Sequence, residues 1–169
     1  SPGVTAASLS TNGPFAGSGS RANFEAEGYL RGPEERPVAE LEWVTRQYFP
    51  VVGLRLVEGR PFDATDVENG RRVAIINETM ARRYFANRAI GRRWGFASAR
   101  GDESFEGIGV VEDVHYSSRV LRLGESVNMA YLPGARDSRF LQSLEVRIDG
   151  DAAVLANAIV VWRMMPSKS

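Results

Sequence analysis

The sequence predicts an α+β fold that mixes several short strands with three helices. Segments such as 38–44, in which apolar and acidic residues alternate, are typical of strands with one face in water. The segment that follows Asn77 instead repeats apolar residues every three or four positions, which indicates a helix. A chain of 169 residues can bury a core, either as one domain or as two small lobes.

The first part of the chain is predicted to consist of strands joined by turns. Val4 to Leu9 is a short strand candidate, and the Gly- and Ser-rich stretch from Ser10 to Arg21 is typical of a mobile loop. Ala22 to Gly28 and Val38 to Val44 alternate as strands do, and the turn-rich segment from Leu30 to Pro37 separates them.

A short helix, a short strand and an acidic turn are predicted next. The helix spans Thr45 to Val52, with Thr45 as its N-cap and Gly53 at its end. Leu54 to Glu58 is the strand, and Pro61 to Gly70 is the acidic turn region.

A buried strand and a capped helix follow the acidic turn. Arg72 to Ile76 is rich in β-branched residues, and Asn77 is placed to cap a helix that reaches about Asn87. Glu78 lies favourably near the positive end of that helix, and Arg82 and Arg83 are expected to point outward. The apolar stripe of the helix consists of Met80, Ala81, Tyr84 and Phe85.

The last third of the chain is predicted to contain four strands and a helix. Arg92 to Ala97 and Ser104 to Val114 are expected to pair with each other, and Tyr116 to Ser126 is a polar segment typical of a mobile loop. The remaining predicted elements are strands at Val127 to Tyr131 and Leu141 to Ile148, and a helix from Asp151 to about Met165.

Composition excludes several classes of function. Lys and Arg together number 21, as do Asp and Glu, so the basic stripe typical of nucleic-acid binding is missing. Without cysteine the chain has no disulfide, thiolate nucleophile or cysteine-based metal site. The most apolar stretch, Ala152 to Met165, is shorter than the roughly 20 residues that a membrane helix needs. The start at Ser1 shows no signal peptide, and we expect the chain to be a piece of a longer protein.

His115 is the natural starting point for a catalytic interpretation because it is the only histidine. It could pair with Asp113, Ser117 or Ser118, but no Gly-x-Ser-x-Gly turn accompanies these residues. A polar residue at the end of a strand is the favoured interpretation.

Three other motifs are explained better by structure than by chemistry. Gly107 to Glu112 resembles a dinucleotide fingerprint, but a third glycine is missing, so glycines that relieve crowding or create a bulge are favoured. Asp63, Asp66 and Glu68 lack calcium-loop spacing and indicate a solvated turn. Asn77-Glu78-Thr79 matches a glycosylation sequon, although the cap role already explains the Asn. No P-loop is present, and the sequence assigns no catalytic, cofactor-binding or metal-binding residue.

The run from Ala158 to Trp162 is apolar on all sides of the predicted final helix. It therefore needs cover on two faces. A sheet could cover one, and a helix before Pro2 or a neighbouring chain could cover the other; packing in its own core alone is the alternative. Exposure of part of this surface predicts weak self-association that Trp162→Glu diminishes.

A set of short motifs occurs in a fixed order through the middle of the chain. They are Tyr48-Phe49, Gly53-Leu54-Arg55-Leu56, Gly59-Arg60-Pro61-Phe62, the segment from Val73 to Phe85, Ile90-Gly91, Ile108-Gly109-Val110-Val111 with Asp113-Val114, and Tyr131-Leu132-Pro133. In this order the chain resembles, from about Pro2 to about Pro166, the periplasmic core domain of MacB-type ABC transporter permeases. Within that group the motifs resemble most the long orphan permeases that carry two such modules.

The resemblance implies a two-lobed periplasmic domain. A porter-like βαβ lobe would comprise residues 1–44 and 127–165, a small α/β lobe inserted between them would comprise residues 45–126, and residues 166–169 would be a tail. The inserted lobe is expected to fold around five apolar residues: Phe49, Ile75, Met80, Phe85 and Val110. Both chain ends should lie on the side that faces the membrane.

The resemblance also implies a non-catalytic function outside the cytoplasm, in the periplasmic part of an inner-membrane protein. The parent permease would couple cytoplasmic ATP hydrolysis to movement of this domain, a mechanism called mechanotransmission, for export or for activation of an envelope partner. ATP and Mg²⁺ would be used by a separate ATPase, so no cofactor is expected in this chain. The other expected partners are a second copy of the permease or a duplicated module, and a periplasmic adaptor or envelope protein; no nucleic acid is expected. A stand-alone binding domain is the alternative, followed by a hydrolase.

Overall fold

The computed structural model contains nine strands and three helices in the part of the chain that it describes, residues 3–13, 20–97, 104–114, 126–134 and 141–149. The strands are β1 Val4–Ser10, β2 Ser20–Ala26, β3 Val38–Val44, β4 Leu56–Gly59, β5 Val73–Asn77, β6 Arg93–Phe96, β7 Ser104–Val111, β8 Met129–Pro133 and β9 Ser143–Ile148. The helices are α1 Tyr48–Val52, α2 Ala64–Glu68 and α3 Glu78–Phe85.

Six of the strands form a closed ring of hydrogen-bonded neighbours. The order around the ring is β2, β6, β7, β5, β8 and β3, and β3 pairs with β2 to complete it. The pairs β3–β8 and β5–β7 are parallel, whereas the other four are antiparallel. Because the cycle is closed, each of the six strands has a hydrogen-bonded neighbour on both sides, and the ring has no edge strand.

The two faces of the ring strands bury separate apolar clusters. Ala74 and Ile76 point to one face and Val73 and Ile75 to the other, because side chains alternate along a strand. The first cluster, here called the α3 cluster, includes residues from all six ring strands together with Met80, Ala81 and Phe85 of α3. The second, the α1 cluster, lies against α1 and includes Tyr48, Phe49, Leu54, Phe62 and Tyr131.

A two-stranded ribbon is attached to the ring at one point. β1 pairs with β9 from Val4 opposite Ile148 to Ser10 opposite Ser143. In contrast, β1 pairs with the ring strand β3 at a single pair of residues, Ser10 opposite Val44. Because that pair is antiparallel, the rest of β1 extends past the end of β3 and away from the ring.

Most of the predicted elements are present close to their predicted bounds. β3 has the predicted ends, β6 and β7 pair as expected, and Asn77 caps α3 through a hydrogen bond from the Met80 N–H. Gly53 ends α1 with a φ of 80°, in the left-handed conformation that glycine adopts easily. The mixed α and β composition is therefore confirmed.

Two local predictions were wrong. Thr45 is not the N-cap of α1, which begins after Gln47 without a side-chain cap; its hydroxyl accepts a hydrogen bond from the Leu9 N–H instead (3.0 Å). The region from Pro61 to Gly70 is not only a turn, since α2 forms within it, and the expectation that its acidic residues are solvated was wrong for Asp66, which is fully buried. A capping box between Asp63 and Asp66 starts this helix.

The five residues expected to form one core are all buried, but they belong to two clusters. Met80, Phe85 and Val110 lie in the α3 cluster, whereas Phe49 and Ile75 lie in the α1 cluster on the opposite face. A single core was the wrong expectation because adjacent residues of a strand point to opposite faces.

Several predictions concern residues outside the described ranges. They include most of the expected loop from 116 to 126, the final helix from 151 to 165 with Trp162, and the tail from 166 to 169.

Truncation of Phe85 tests the α3 cluster. Phe85 is buried among side chains of the ring, so Phe85→Ala should lower the free energy of unfolding by about 3–5 kcal/mol. Urea unfolding of the chain measures this change, with Arg88→Ala, at an exposed position three residues later, as the control. A loss below about 0.5 kcal/mol for Phe85→Ala, the range of surface sites, would contradict the packing.

Candidate functional site

Asp113 is the one residue of the catalytic hypothesis that the structure describes. Its carboxylate accepts hydrogen bonds from the Thr79 backbone N–H (2.9 Å) and from the Thr79 hydroxyl (2.6 Å). Both bonds lie in the first turn of α3, where a negative charge is favourable. Asp113 therefore anchors the end of β7 to α3. The other members of the hypothesis, His115, Ser117 and Ser118, lie outside the described residues.

Asn77 joins three segments at the start of α3. Its side-chain oxygen accepts from the Met80 N–H (3.1 Å) and from the Met129 N–H (3.0 Å). Its amide nitrogen donates to the Val127 carbonyl oxygen (2.8 Å). The side chain is buried, with both amide atoms engaged, so it is unavailable to a glycosylating enzyme and acts as a structural cap.

Asn128 extends this network to β3 and α3. Its side-chain nitrogen donates to the Val38 carbonyl oxygen (2.9 Å), and its side-chain oxygen accepts from Arg83 (3.2 Å). Its backbone carbonyl accepts from the Glu40 N–H (2.8 Å). The two asparagines thus fix the start of β8 against both neighbouring ring strands and the helix. Sequence reasoning found Asn77 through its cap position but gave no signal for Asn128.

The glycines of the motif from Gly107 to Glu112 serve close backbone packing. β7 continues through this motif as a strand, paired with β5. A Cβ atom on Gly109 would lie 2.8 Å from the Arg60 carbonyl oxygen, and one on Gly107 would clash with the carbonyl oxygen of Ala89. The interpretation that these glycines relieve crowding or create a bulge is confirmed, since the register of β5 against β7 also shifts between Gly107 and Gly109.

The acidic residues around α2 are held by arginine. Arg60 donates to both oxygens of Asp66, at 2.6 and 3.1 Å, and Asp66 also accepts from the Asp63 N–H. The hydrogen bond from Arg60 lowers the pKa of the buried Asp66 carboxyl below its ordinary value. In the part of the chain that the structure describes, no group of three or more His, Cys, Asp or Glu residues could hold a metal ion.

The turn between β2 and β3 presents an exposed apolar residue. Leu30 is 95% exposed. The turn around it is held by side chains: Tyr29 donates its hydroxyl proton to Glu35 (2.7 Å), and Glu35 also accepts from the Gly32 N–H (3.1 Å). Side-chain hydrogen bonds therefore hold the turn that carries the exposed Leu30.

The described ends of the chain meet at the far end of the ribbon. The Asp149 N–H donates to the Gly3 carbonyl oxygen at 2.7 Å, next to the pair Val4 and Ile148. The ribbon leaves the ring at the Val44 end of β3, whereas the Leu30 turn leads into β3 at Val38. Gly3 and Asp149, the described ends of the chain, therefore lie beyond one end of β3, and the Leu30 turn lies at the other.

The comparison with family models decides what kind of domain this is. The model of the MacB-like periplasmic core domain matches residues 1–161. The chain belongs to this family. The resemblance inferred from the ordered motifs is thereby confirmed. The chain is the periplasmic core domain of a MacB-like ABC transporter permease, and it is an extracytoplasmic part of that transporter.

Solved structures with the same fold come from several bacteria. The periplasmic region of MacB from Actinobacillus actinomycetemcomitans is similar with a TM-score of 0.66 and 21% identity, over 96% of this chain and 67% of that one. The extracellular domain of the noncanonic ABC-type transporter YknZ from Gram-positive bacteria gives 0.59 and 20%, over 92% and 70%. A domain of a putative permease protein from Porphyromonas gingivalis gives 0.60 and 15%, over 96% and 70%. These likenesses concern the fold.

Two observations on this MacB-like domain are negative. A sequence comparison with curated proteins gave no match. Among the described residues, no helix is long and apolar enough to cross a membrane.

Substitution of Asn77 tests the network at the start of α3. Asn77→Ala removes the cap and leaves the Met129 N–H and the Val127 carbonyl without a partner, so we expect a loss of about 2–4 kcal/mol in the free energy of unfolding. Thermal and urea unfolding measure the loss, and Glu78→Gln at the next position is the control. Equal stability of the two variants would show that Asn77 does not hold these segments together.

Proposed function

We propose that this domain transmits movement from the membrane part of a permease to a partner outside the cytoplasm. The observation that carries the proposal is the position of the described ends of the chain, Gly3 and Asp149, which meet at the end of the ribbon, opposite the Leu30 turn. A domain inserted between two membrane helices needs its ends together on one side. The ribbon would then face the membrane, and the Leu30 turn would face away from it.

The ring is suited to act as the rigid part of such a transmitter. Its six strands are paired in a closed cycle, and both faces are packed with buried side chains. Close-packed interiors transmit strain because their side chains have little free volume. Movement of the ribbon would therefore displace the ring and the Leu30 turn as one body.

The division into two lobes is part of this proposal. The porter-like lobe of residues 1–44 and 127–165 is supported by the pairs β1–β9, β1–β3, β2–β3 and β3–β8, which join its strands to one another. The inserted lobe of residues 45–126 is supported by β4–β7, β5–β7 and β6–β7. Two pairs, β2–β6 and β5–β8, connect the lobes. The tail of residues 166–169 would lead back to the membrane part.

The proposed partners follow from the transporter family. A separate cytoplasmic ATPase, which binds ATP and Mg²⁺, would supply the energy, and a second copy of the permease would complete the transporter. A periplasmic adaptor or another envelope protein would contact the exposed end that carries Leu30. The domain itself would hold no cofactor.

Labelling from outside the cell tests the proposed orientation. This domain has no cysteine, so Leu30→Cys gives it a single thiol at an exposed position, and any other cysteines of the full-length protein are first replaced. In cells with the outer barrier opened and the inner membrane intact, a membrane-impermeant thiol reagent should label this cysteine in the full-length protein at once. A cysteine placed in the cytoplasmic ATPase is the control and should stay unlabelled. Protection of Leu30→Cys until the inner membrane is permeabilised would contradict the proposal.

The proposal also makes the domain non-catalytic. Asp113, the described member of the catalytic hypothesis, already uses its carboxylate to hold Thr79. We expect no turnover above background on a panel of esterase, peptidase and phosphatase substrates. Turnover that is abolished by His115→Ala would contradict this expectation.

A further inference from the structure

Helix α1 lies between the ribbon and the ring, and it contacts both ribbon strands, β1 and β9. Tyr48 and Phe49 are buried and belong to the α1 cluster of the ring. Val51 is buried as well, but it belongs to neither ring cluster. Since a helix turns by about 100° per residue, Phe49 and Val51 lie on nearly opposite sides of α1. One side of the helix is therefore packed into the ring, and the other is buried outside the ring clusters.

Aromatic contacts hold α1 in the ring. The ring centroid of Phe49 lies 5.0 Å from that of Tyr131 on β8 and 6.2 Å from that of Phe62. The ring centroid of Tyr48 lies 5.9 Å from that of Tyr131. Tyr131 is fully buried on a strand that lies between β5 and β3. A displacement of α1 would therefore act on a ring strand, because close-packed side chains have little free volume to absorb it.

The start of α1 is tied to the ribbon strand β1 through Thr45. The Thr45 N–H donates to the Leu9 carbonyl oxygen (3.0 Å), and the Thr45 hydroxyl accepts from the Leu9 N–H (3.0 Å). The Tyr48 N–H in turn donates to the Thr45 carbonyl oxygen (3.0 Å). Hydrogen bonds therefore link the first residue of the helix to Leu9 of the ribbon.

The end of α1 is held by Arg147 of the ribbon strand β9. Arg147 Nε donates to the Val51 carbonyl oxygen (3.5 Å), and a Cβ atom on Gly53 would lie 3.4 Å from Arg147 Nη2. The last carbonyl groups of a helix have no partner within it and carry the negative end of its dipole, so a guanidinium group is favourable there. In the part of the chain that the structure describes, Arg147 forms no ion pair that would draw it away from the helix.

We propose that α1 is the connector through which the ribbon moves the ring: β1 and β9 hold the two ends of the helix, and Tyr48 and Phe49 carry its displacement into the α1 cluster. Strand pairing joins the ribbon to the ring only at Ser10 and Val44, a single pair about which the ribbon could pivot. Through α1, such a pivot acts on β8. The inference rests on the proposed function, which it deepens by naming the element that transmits the movement.

Helix α3 provides an internal comparison on the opposite face of the ring. It lies against the ring strands β5 and β7, and its apolar residues belong to the α3 cluster. A change in how the ribbon holds α1 should therefore reach the α1 cluster first and leave the α3 cluster unaffected.

Hydrogen exchange of the 169-residue chain tests how Arg147 holds the end of α1. The amides of Gly53 and Leu54 both donate to the Phe49 carbonyl oxygen. In Arg147→Gln their exchange rates should rise about two- to fivefold, the factor that corresponds to loss of a cation at a helix end. Arg147→Lys should restore most of the protection, and Arg88→Gln, at another exposed arginine, should change neither rate. Unchanged exchange at both amides in Arg147→Gln would overturn the proposal.

NMR chemical shifts separate a connector from a residue that only caps the helix. In Arg147→Gln the ring-proton shifts of Phe49 and Tyr131 should change, and Arg147→Lys should reverse the change. The backbone shifts of Ala81 and Phe85 in the α3 cluster should stay constant. Changes confined to residues 51–54 and to β9 would overturn the proposal. Because this measurement needs neither a membrane nor ATP, its failure would leave the proposed function standing.

The full-length permease tests the connector during transport. With spin labels at Leu30→Cys in both copies, pulsed electron resonance records how far the distance between them changes when ATP binds. In Arg147→Gln this change should be smaller, while ATP hydrolysis continues. A change of equal size with and without the substitution would overturn this proposal alone. No change of distance in either permease would contradict the proposed function, and this proposal with it.

Discussion

The attachment of the ribbon to the ring is the constraint on which the rest of the structure depends. A single pair of residues, Ser10 opposite Val44, connects β1 to β3 as neighbouring strands. Hydrogen bonds of the residues next to this pair hold the two strands together in place of further strand pairing. Thr45 exchanges two bonds with Leu9, and Thr11 exchanges bonds with Trp43. This arrangement keeps both described ends of the chain at one side while the ring keeps its own core.

The ring owes its rigidity to closure and to packing on both faces. Neither the α1 cluster nor the α3 cluster could form from one predicted lobe alone, because each takes side chains from strands on both sides of the boundary. Asn77 and Asn128 add polar contacts at the point where β8 enters between β5 and β3. Since buried polar groups are costly when unpaired, these contacts fix the register as well as the position of β8.

Local features of this fold could be predicted from the sequence, because their causes are local. The alternation in 38–44 specified β3, Asn77 specified the start of α3, and the ordered motifs identified the family. α2 was missed because the acidic residues around it were interpreted as a turn, although Asp63 and Asp66 form the capping box that starts the helix. Strand pairing brings Ser10 and Glu145 together from distant parts of the chain, so no spacing in the sequence indicates their contact.

Movement of the ring in response to ATP is the central claim. It can be measured in the full-length permease by placing spin labels at Leu30→Cys in both copies and recording the distance between them by pulsed electron resonance. The account predicts one distance distribution without nucleotide, a different one when ATP is bound, and a return to the first after hydrolysis. The same distribution in all three states, in a permease that still hydrolyses ATP, would contradict the account.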